Sequence, residues 1–353
     1  MAVADELRAS GAEVSFLGTR ERIEAELIPA AGYEIDFIEV RGIDRRNPLR
    51  AARAGFEALG AVGASRKVLR RRRADVVMGG GGYVAGPAGL AATLTRTPLV
   101  LTEADSHLGL ANRLLARRAR RVCLAFPIAG REGEPYLVTG RPVPKAVLEG
   151  DRAAARERFG IAAGARCLLV FGGSQGARSI NLAAIEAFAE EPDALVPGMR
   201  GQVGGRDFHV LHIAGRRDFE ELERRLAAAR NRDRYTLLEY EPNLGDALAA
   251  ADLVVARSGG SIFEVVAAGR AGVLIPYPFA TGDHQTTNAE WMRAAGAASV
   301  ITDAELSAER LRAEVSPVLA DPSRLEAMAA AARGLAKPDA ARRIADEVLE
   351  AAK

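Results

Sequence analysis

Residues 252–289 read DLVVARSGGSIFEVVAAGRAGVLIPYPFATGDHQTTNA. The apolar run 253–256 has the length and composition of a buried strand, and it breaks into the polar, glycine-bearing turn 257–261. Residues 262–268 carry a helical pattern closed by Gly269, and the run 272–275 is a second strand stopped by Pro276 and Pro278. Strand, Gly-Ser turn and helix start, in that order, bring backbone N–H groups to one point, which suits a phosphate. Glu264, on the first turn, is placed to accept hydrogen bonds from sugar hydroxyls. Ser261 and Glu264 also fit the capping box S-x-x-E, which needs no ligand. The polar patch 283–288 after the next strand weighs toward a ligand, because in an open α/β sheet both loops lie at the strands' carboxyl ends.

Upstream, residues 167–171 read as a strand and 172–178, GGSQGAR, as a glycine loop that opens a helix. Phosphate binding is the first reading of that unit. Further strands are expected at 209–213, 235–238 and 298–301, with His209 and His212 in strand packing and Trp291 in the core. The first half alternates in the same way: helix to residue 10, strand 14–17, helix 20–31, strand 35–40, strand 74–78, helix from 88, and strands 99–102, 122–125 and 136–138. Between the strand at 74–78 and its helix stand four consecutive glycines, Gly79 to Gly82, then Tyr83. Such a run is costly to order, so a loop keeping it holds its backbone close to something. Glu103, Asp105, Ser106 and His107 fill the loop after strand 99–102.

Residues 140–144, GRPVP, read as an extended linker, because two prolines restrict the backbone. The expected fold class is α/β of the GT-B type, two doubly wound Rossmann-like domains facing across a cleft. Residues 1–143 make the first, 144–336 the second, and 337–353 a helix that folds back toward the first. A doubly wound domain ordinarily opens with a strand and a glycine loop, whereas this chain opens with a helix. The expectation is either a start assigned too far downstream, with a strand and glycine loop encoded in frame upstream of Met1, or a truncated chain.

With 353 residues, 48% of them hydrophobic, the chain can bury two cores. No apolar run reaches the roughly 18–20 residues of a membrane span, and Asp5 and Glu6 interrupt any signal peptide. Cys123 and Cys167 sit in strand-like runs as core residues. A cytoplasmic protein is expected. The net charge of +2 hides an asymmetry, with eleven Lys/Arg against two acids in residues 41–73 and five arginines without an acid in 113–121. Leu49, Phe56, Leu59, Val62, Val68 and Leu69 are interleaved with the first basic run. An arginine-rich amphipathic helix lying on an anionic membrane and an ordinary solvated helix fit that run equally. A nucleic-acid patch fits less well, since no aromatic stacking platform accompanies it.

Five stretches in order, FLGTRERIEAELIPAAGYEIDFI (16–38), GGGGYVAGPAGLAA (79–92), FGGSQGARSIN (171–181), ARSGGSIFEVVAAGRAGVLIPYPFA (256–280) and DHQTTNA (283–289), resemble the family 28 glycosyltransferases of peptidoglycan synthesis. The resemblance implies an inverting transfer of N-acetylglucosamine from UDP-N-acetylglucosamine to the 4-hydroxyl of undecaprenyl-pyrophosphoryl-muramyl-pentapeptide, without metal or other cofactor. It implies a peripheral enzyme on the cytoplasmic face of the cell membrane, its basic segment 41–73 docked on the anionic inner leaflet, with no nucleic-acid partner. On this sequence it implies that Ser174, Gln175 and Gly176 line the donor site. Gly260, Ser261, Ile262 and Phe263 would hold the diphosphate and nucleotide, Glu264 the ribose and Gln285 the sugar hydroxyls. Uracil would lie near Tyr240 and Glu241, and Gly79, Gly80, Gly81, Gly82 and Tyr83 would face the acceptor.

The family's first glycine loop, which carries the usual candidate base, a histidine, has no counterpart here. Glu103, Asp105 and His107 remain as candidates. Glu103-Ala104-Asp105 also replaces the common Glu-Gln-Asn, and Pro144 stands where the linker commonly has arginine. A non-catalytic, membrane-associated UDP-sugar-binding subunit is the alternative. An epimerase of the same fold would need its acid and base from those three residues, and a nucleic-acid binder leaves the donor motifs unexplained.

Overall fold

The computed structural model describes residues 1–40, 48–173, 176–190 and 208–353, without the side chains of 48–59 and Thr281. Residues 41–47 of the basic segment, and Ser174 and Gln175, lie outside that description. The chain divides into two compact units, Met1–Pro142 with Asp339–Lys353, and Val143–Pro338.

The first unit contains β1 (Ser15–Gly18), β2 (Glu34–Phe37), β3 (Val77–Gly79), β4 (Leu99–Glu103), β5 (Arg121–Leu124) and β6 (Tyr136–Val138). All pairings are parallel, β1 with β2 in one sheet and β3 to β6 in sequence order in another. The helix Ala2–Ala9 serves both sheets. Its Val3 and Leu7 pack with Val100, Cys123 and, from the C-terminal helix Ala340–Ala351, Ile344, Ala345 and Val348. Its Ala4 packs with Ile28 and Tyr33 against β1 and β2.

The second unit is one six-stranded parallel sheet of β7 (Arg166–Phe171), β8 (Phe208–Ile213), β9 (Tyr235–Leu238), β10 (Leu253–Ala256), β11 (Ala271–Leu274) and β12 (Ala298–Val300). The order β12-β11-β10-β7-β8-β9 puts β7 and β10 at the centre, and the connection reverses direction there. These two strands are almost wholly buried and apolar, as a sheet covered on both faces requires. The glycine loops after β7 and β10 thereby emerge side by side at one end of the sheet, at its topological switch point. All twelve strands expected from the sequence are present, with ends shifted by up to three residues.

Three helix starts differ from expectation, each for a local reason. The helix expected from residue 20 begins at Glu24, because the Thr19 amide and hydroxyl donate to Glu24 Oε1 and hold a turn ahead of it. The helix expected from residue 88 begins at Gly82, after Gly81 and Gly82 turn the chain at φ +82° and +75°. The patch 283–288 is mostly helical. Asp283, at φ +54°, precedes the helix His284–Ala294, and Gln285 stands in its first turn.

His212 lies wholly inside the second unit. Asn181 donates through Nδ2 to Ala214 O and Asp218 Oδ2, both at 2.9 Å, so its Oδ1 faces His212 Nε2 at 3.0 Å. Nε2 therefore carries the proton, and Nδ1 accepts from the Tyr235 hydroxyl at 2.6 Å. Burial lowers the His212 pKa from 6.5 to about 3. Below pH 6.5 the unfolded chain takes up a proton that the folded chain refuses. Stability should then fall by up to about 1.4 kcal/mol per pH unit on this account, down to the folded pKa. Urea unfolding between pH 7 and 5 checks this, with His212→Gln expected to show a shallower acid slope and an equal slope counting against it.

Candidate active site

The loop after β10 and the start of the helix His284–Ala294 are tied together. Ser258 Oγ donates to Gln285 O at 2.7 Å and Asn288 Nδ2 to Ser258 O at 2.9 Å. The Tyr277 amide donates to Gln285 Oε1 at 3.0 Å, which leaves the Gln285 amide nitrogen turned toward Gly259. Ile262, Phe263 and Glu264 donate their own amides to Gly259 O, Gly260 O and Ser261 O at 3.0–3.3 Å. The Ile262 and Phe263 side chains are core, 1% and 6% exposed, with Phe263 on Trp291 at 5.5 Å. The resemblance implied Ile262 and Phe263 among the diphosphate and nucleotide contacts; their amides are engaged within the turn, and the open donors lie just before them. The amides of Gly259, Gly260 and Ser261 make no hydrogen bond among the described residues. Ser261 caps no amide with its side chain, so the S-x-x-E box is not closed in the purely structural way. Glu264 is half-buried one turn further on.

Arg257 locks this corner and was missed in the sequence. Its guanidinium reaches Asp303 at 2.6 Å, Ser179 Oγ at 2.9 Å and the carbonyls of Ile275 and Pro276 at 3.2 Å. Ser179 donates in turn to Asp303 Oδ1 at 2.8 Å. The end of β10 is thus fastened to the helix Arg178–Ile185, which follows the glycine loop of β7. The only signal was an arginine directly after a buried strand. In that glycine loop, Gly176 has φ +71°, and a Cβ there would lie 2.4 Å from Ala214 O. A Cβ on Gly172 would lie 2.2 Å from Ala177 N, so both positions need glycine.

Glu241 was expected beside uracil, but its carboxylate is engaged. It accepts from Arg158 at 2.7 Å and from the Asn243 amide at 2.8 Å, and it is buried. Only its backbone is left for a base, next to the exposed ring of Tyr240.

In the first unit, Gly80 and Gly81 lead into the helix Gly82–Thr95, and a Cβ on Gly81 or Gly82 would meet nothing within 4 Å. Tyr83 projects from the first turn, 55% exposed, under the Arg22 guanidinium at 5.1 Å. A Cβ on Gly79 would crowd Leu101 at 2.9 Å, so Gly79 is a packing glycine at the end of β3. Glu103 is removed as a base candidate by its partners. Its carboxylate is buried and accepts from the Gly109 amide at 2.8 Å, Asn112 Nδ2 at 2.9 Å and the Asp105 amide at 3.3 Å. It organises the start of the helix Leu110–Leu115, while Asp105 is partly buried and His107 exposed on that loop.

Of the arginines expected on a membrane face, Arg71 and Arg72 are spent inside the unit. Arg71 pairs with Asp36, and Arg72 with Glu34 and, at 2.8 Å, Asp36. Arg70 and Arg73 make no ion pair among the described residues. Four exposed leucines were not singled out in the sequence: Leu90 and Leu94 on the helix Gly82–Thr95, and Leu110 and Leu114 on Leu110–Leu115. The helices meet where Gly86 faces Ala111 and Gly89 faces Leu115, and the leucine pairs flank that seam.

Two parallel-sheet α/β units with glycine loops at the strands' carboxyl ends are what GT-B glycosyltransferases share, and the chain belongs to glycosyltransferase family 28. The family's N-terminal domain matches residues 1–124 and its C-terminal domain residues 167–344. Within that family, the chain is 39% identical over 348 residues to the UDP-N-acetylglucosamine–N-acetylmuramyl-(pentapeptide) pyrophosphoryl-undecaprenol N-acetylglucosamine transferase of Halorhodospira halophila, covering 98% of this chain and 92% of the relative. It is 41% identical over 363 residues to the transferase of the same name from Alkalilimnicola ehrlichii, covering 100% and 95%. The crystal structure of Acinetobacter baumannii MurG superposes with a TM-score of 0.77 at 30% identity, covering 99% of this chain and 94% of that one. A putative UDP-N-acetylglucosamine 2-epimerase from Listeria monocytogenes, at TM-score 0.69 and 15% identity over 97% and 90% of the two chains, shares the fold alone.

Proposed function

We infer that this chain transfers N-acetylglucosamine from UDP-N-acetylglucosamine to the 4-hydroxyl of lipid-linked N-acetylmuramyl-pentapeptide, the lipid I to lipid II step of peptidoglycan synthesis. The observation that carries this reading is identity near 40% over essentially the whole chain to transferases of that name. The geometry of the second unit supplies what the chemistry needs. When the sugar's anomeric carbon is attacked, negative charge gathers on the departing diphosphate. Three adjacent unbonded amides, at Gly259, Gly260 and Ser261, are preorganised donors for it. Glu264 takes the ribose hydroxyls, the Gln285 amide nitrogen the sugar hydroxyls, and the Glu241 backbone with Tyr240 the uracil. The acceptor diphosphate lies on the Gly80–Gly82 turn beside Tyr83. Direct displacement inverts the anomeric centre. Asp105 and His107 stand in the loop at the carboxyl end of β4, next to the strand that carries the acceptor turn, and are the two of the three candidate bases that keep an accessible side chain.

The reading is tested with labelled UDP-N-acetylglucosamine and detergent-dispersed lipid acceptor. Label should pass to the lipid with release of UDP. UDP binding without transfer would support the binding-subunit alternative, and no UDP binding would overturn the donor assignment.

The same reading places the enzyme peripherally on the cytoplasmic leaflet. No helix among the described residues is long and apolar enough to cross a membrane. The Leu90–Leu94 and Leu110–Leu114 pairs offer an apolar ridge, with Arg113, Arg117 and Arg118 on and just after the shorter helix and Arg70 and Arg73 at the end of Pro48–Arg72. Leu94→Glu with Leu114→Glu should lower binding to anionic vesicles at least about tenfold, since each leucine contributes roughly 1.5–3 kcal/mol when buried. Arg70→Glu with Arg73→Glu should lower it too and flatten its salt dependence. Vesicle sedimentation reads both, and binding indifferent to all four changes rejects this face.

A further inference from the structure

Phe279 is 80% exposed, the most exposed large apolar side chain among the described residues, yet the loop that carries it is fixed. Tyr277 stands edge-on to it with ring centroids 5.7 Å apart, and the Arg257 guanidinium lies 5.4 Å from the Tyr277 ring. Arg257 is itself held by Asp303 and Ser179, so the brace reaches into the unit. The backbone is turned twice, by Ala280 N to Tyr277 O at 3.2 Å and Asp283 N to Ala280 O at 3.0 Å. The Tyr277 amide also orients Gln285. A braced loop that holds an aromatic ring in water forgoes the burial that ordinarily stabilises such a ring. Through the Tyr277 amide the loop is joined to the side chain assigned to the sugar hydroxyls, and a pyranose has an apolar C–H face as well as hydroxyl edges. Gln285 can meet the edge of such a ring but not its face.

We propose that Phe279, braced by Tyr277, is the platform on which the apolar face of the donor's hexosamine ring rests. This subsite separates the nucleotide sugar from the bare nucleotide, and it rests on the donor-site reading given above. Phe279 is then a positioning and specificity residue that contributes to sugar binding and nothing to UDP.

The test is calorimetry on the full chain with UDP and with UDP-N-acetylglucosamine as separate ligands. Phe279→Ala should weaken UDP-N-acetylglucosamine about threefold to tenfold and leave UDP unchanged, while Phe279→Trp, which keeps a ring, should restore the sugar's share. Unchanged affinity for both ligands overturns the platform. An equal loss for both also overturns it, because it marks Phe279 as a support of the loop. A raised KM for the lipid acceptor with unaltered donor affinity overturns it as well and gives the ring to the acceptor. Failure of the wild-type chain to bind UDP is a separate result, against the donor site itself.

Discussion

Asp252→Ala should destabilise the second unit by about 3–5 kcal/mol, the loss expected when one partner of a buried ion pair is removed. The carboxylate sits beside β7 at the foot of β10. It accepts from Arg152 at 2.7 Å, Arg156 at 2.8 Å and the Cys167 amide at 2.7 Å, with Arg166 at 3.7 Å. Those arginines also serve the end of the helix Leu244–Ala250: Arg152 donates to Ala249 O and Ala251 O, and Arg156 to Ala250 O. Cations are favoured at a helix C-terminus, but the partial charge there does not replace a full countercharge. Arg156 is 4% exposed, so without Asp252 a guanidinium would stay buried with only carbonyls around it. The lone tryptophan, Trp291, lies in the same unit and reports its unfolding in urea. Asp252→Asn, which keeps an acceptor for the Cys167 amide but loses the charge, should fall between wild type and alanine. A loss under about 1 kcal/mol for the alanine variant would show that the arginines repartner with solvent.

How far the sequence could be read follows from the range of the forces involved. Strands such as 168–171 and 253–256 are announced by local composition, because a strand buried on both faces must be apolar throughout. The Gly172 and Gly176 positions were legible for a related reason, since only glycine tolerates the approach of Ala177 and Ala214 there. Partners far along the chain were not legible. Glu241 was implied as a site residue by the resemblance, but Arg158, 83 residues earlier, claims its carboxylate, and Glu103, a site candidate by position, is claimed nearer by, by Asn112. Arg71 and Arg72 looked like a membrane patch until Glu34 and Asp36, on β2, took them. The helix start at Gly82 was hidden because glycine is a poor helix former and gave no periodic signal. Phe279 was hidden because a single aromatic in a Pro-rich loop has no pattern around it, and its exposure and brace exist only in three dimensions.

Glu264→Ala should weaken UDP binding by about 1.5–3 kcal/mol, the range for a hydrogen bond to a charged group. The side chain lies in the first turn of Ile262–Ala267, beyond the three open amides of Gly259 to Ser261. A nucleotide whose diphosphate occupies those amides brings its ribose past that turn, where a carboxylate can accept from both hydroxyls. The ribose is remote from the anomeric carbon, and its contacts are the same in the ground and transition states. The loss should therefore appear as a raised KM for UDP-N-acetylglucosamine with kcat nearly unchanged. Glu264→Gln, which keeps one acceptor oxygen but no charge, should recover part of the affinity. Calorimetry with UDP alone isolates the effect from the sugar and from Phe279, and the urea midpoint shows whether the variant is folded. A folded alanine variant that binds UDP as the wild type does would remove Glu264 from the ribose and leave the amide row as the whole of the nucleotide grip. A drop in kcat with KM unchanged would instead tie this carboxylate to the reacting end of the donor, reversing the direction in which the nucleotide lies along the loop.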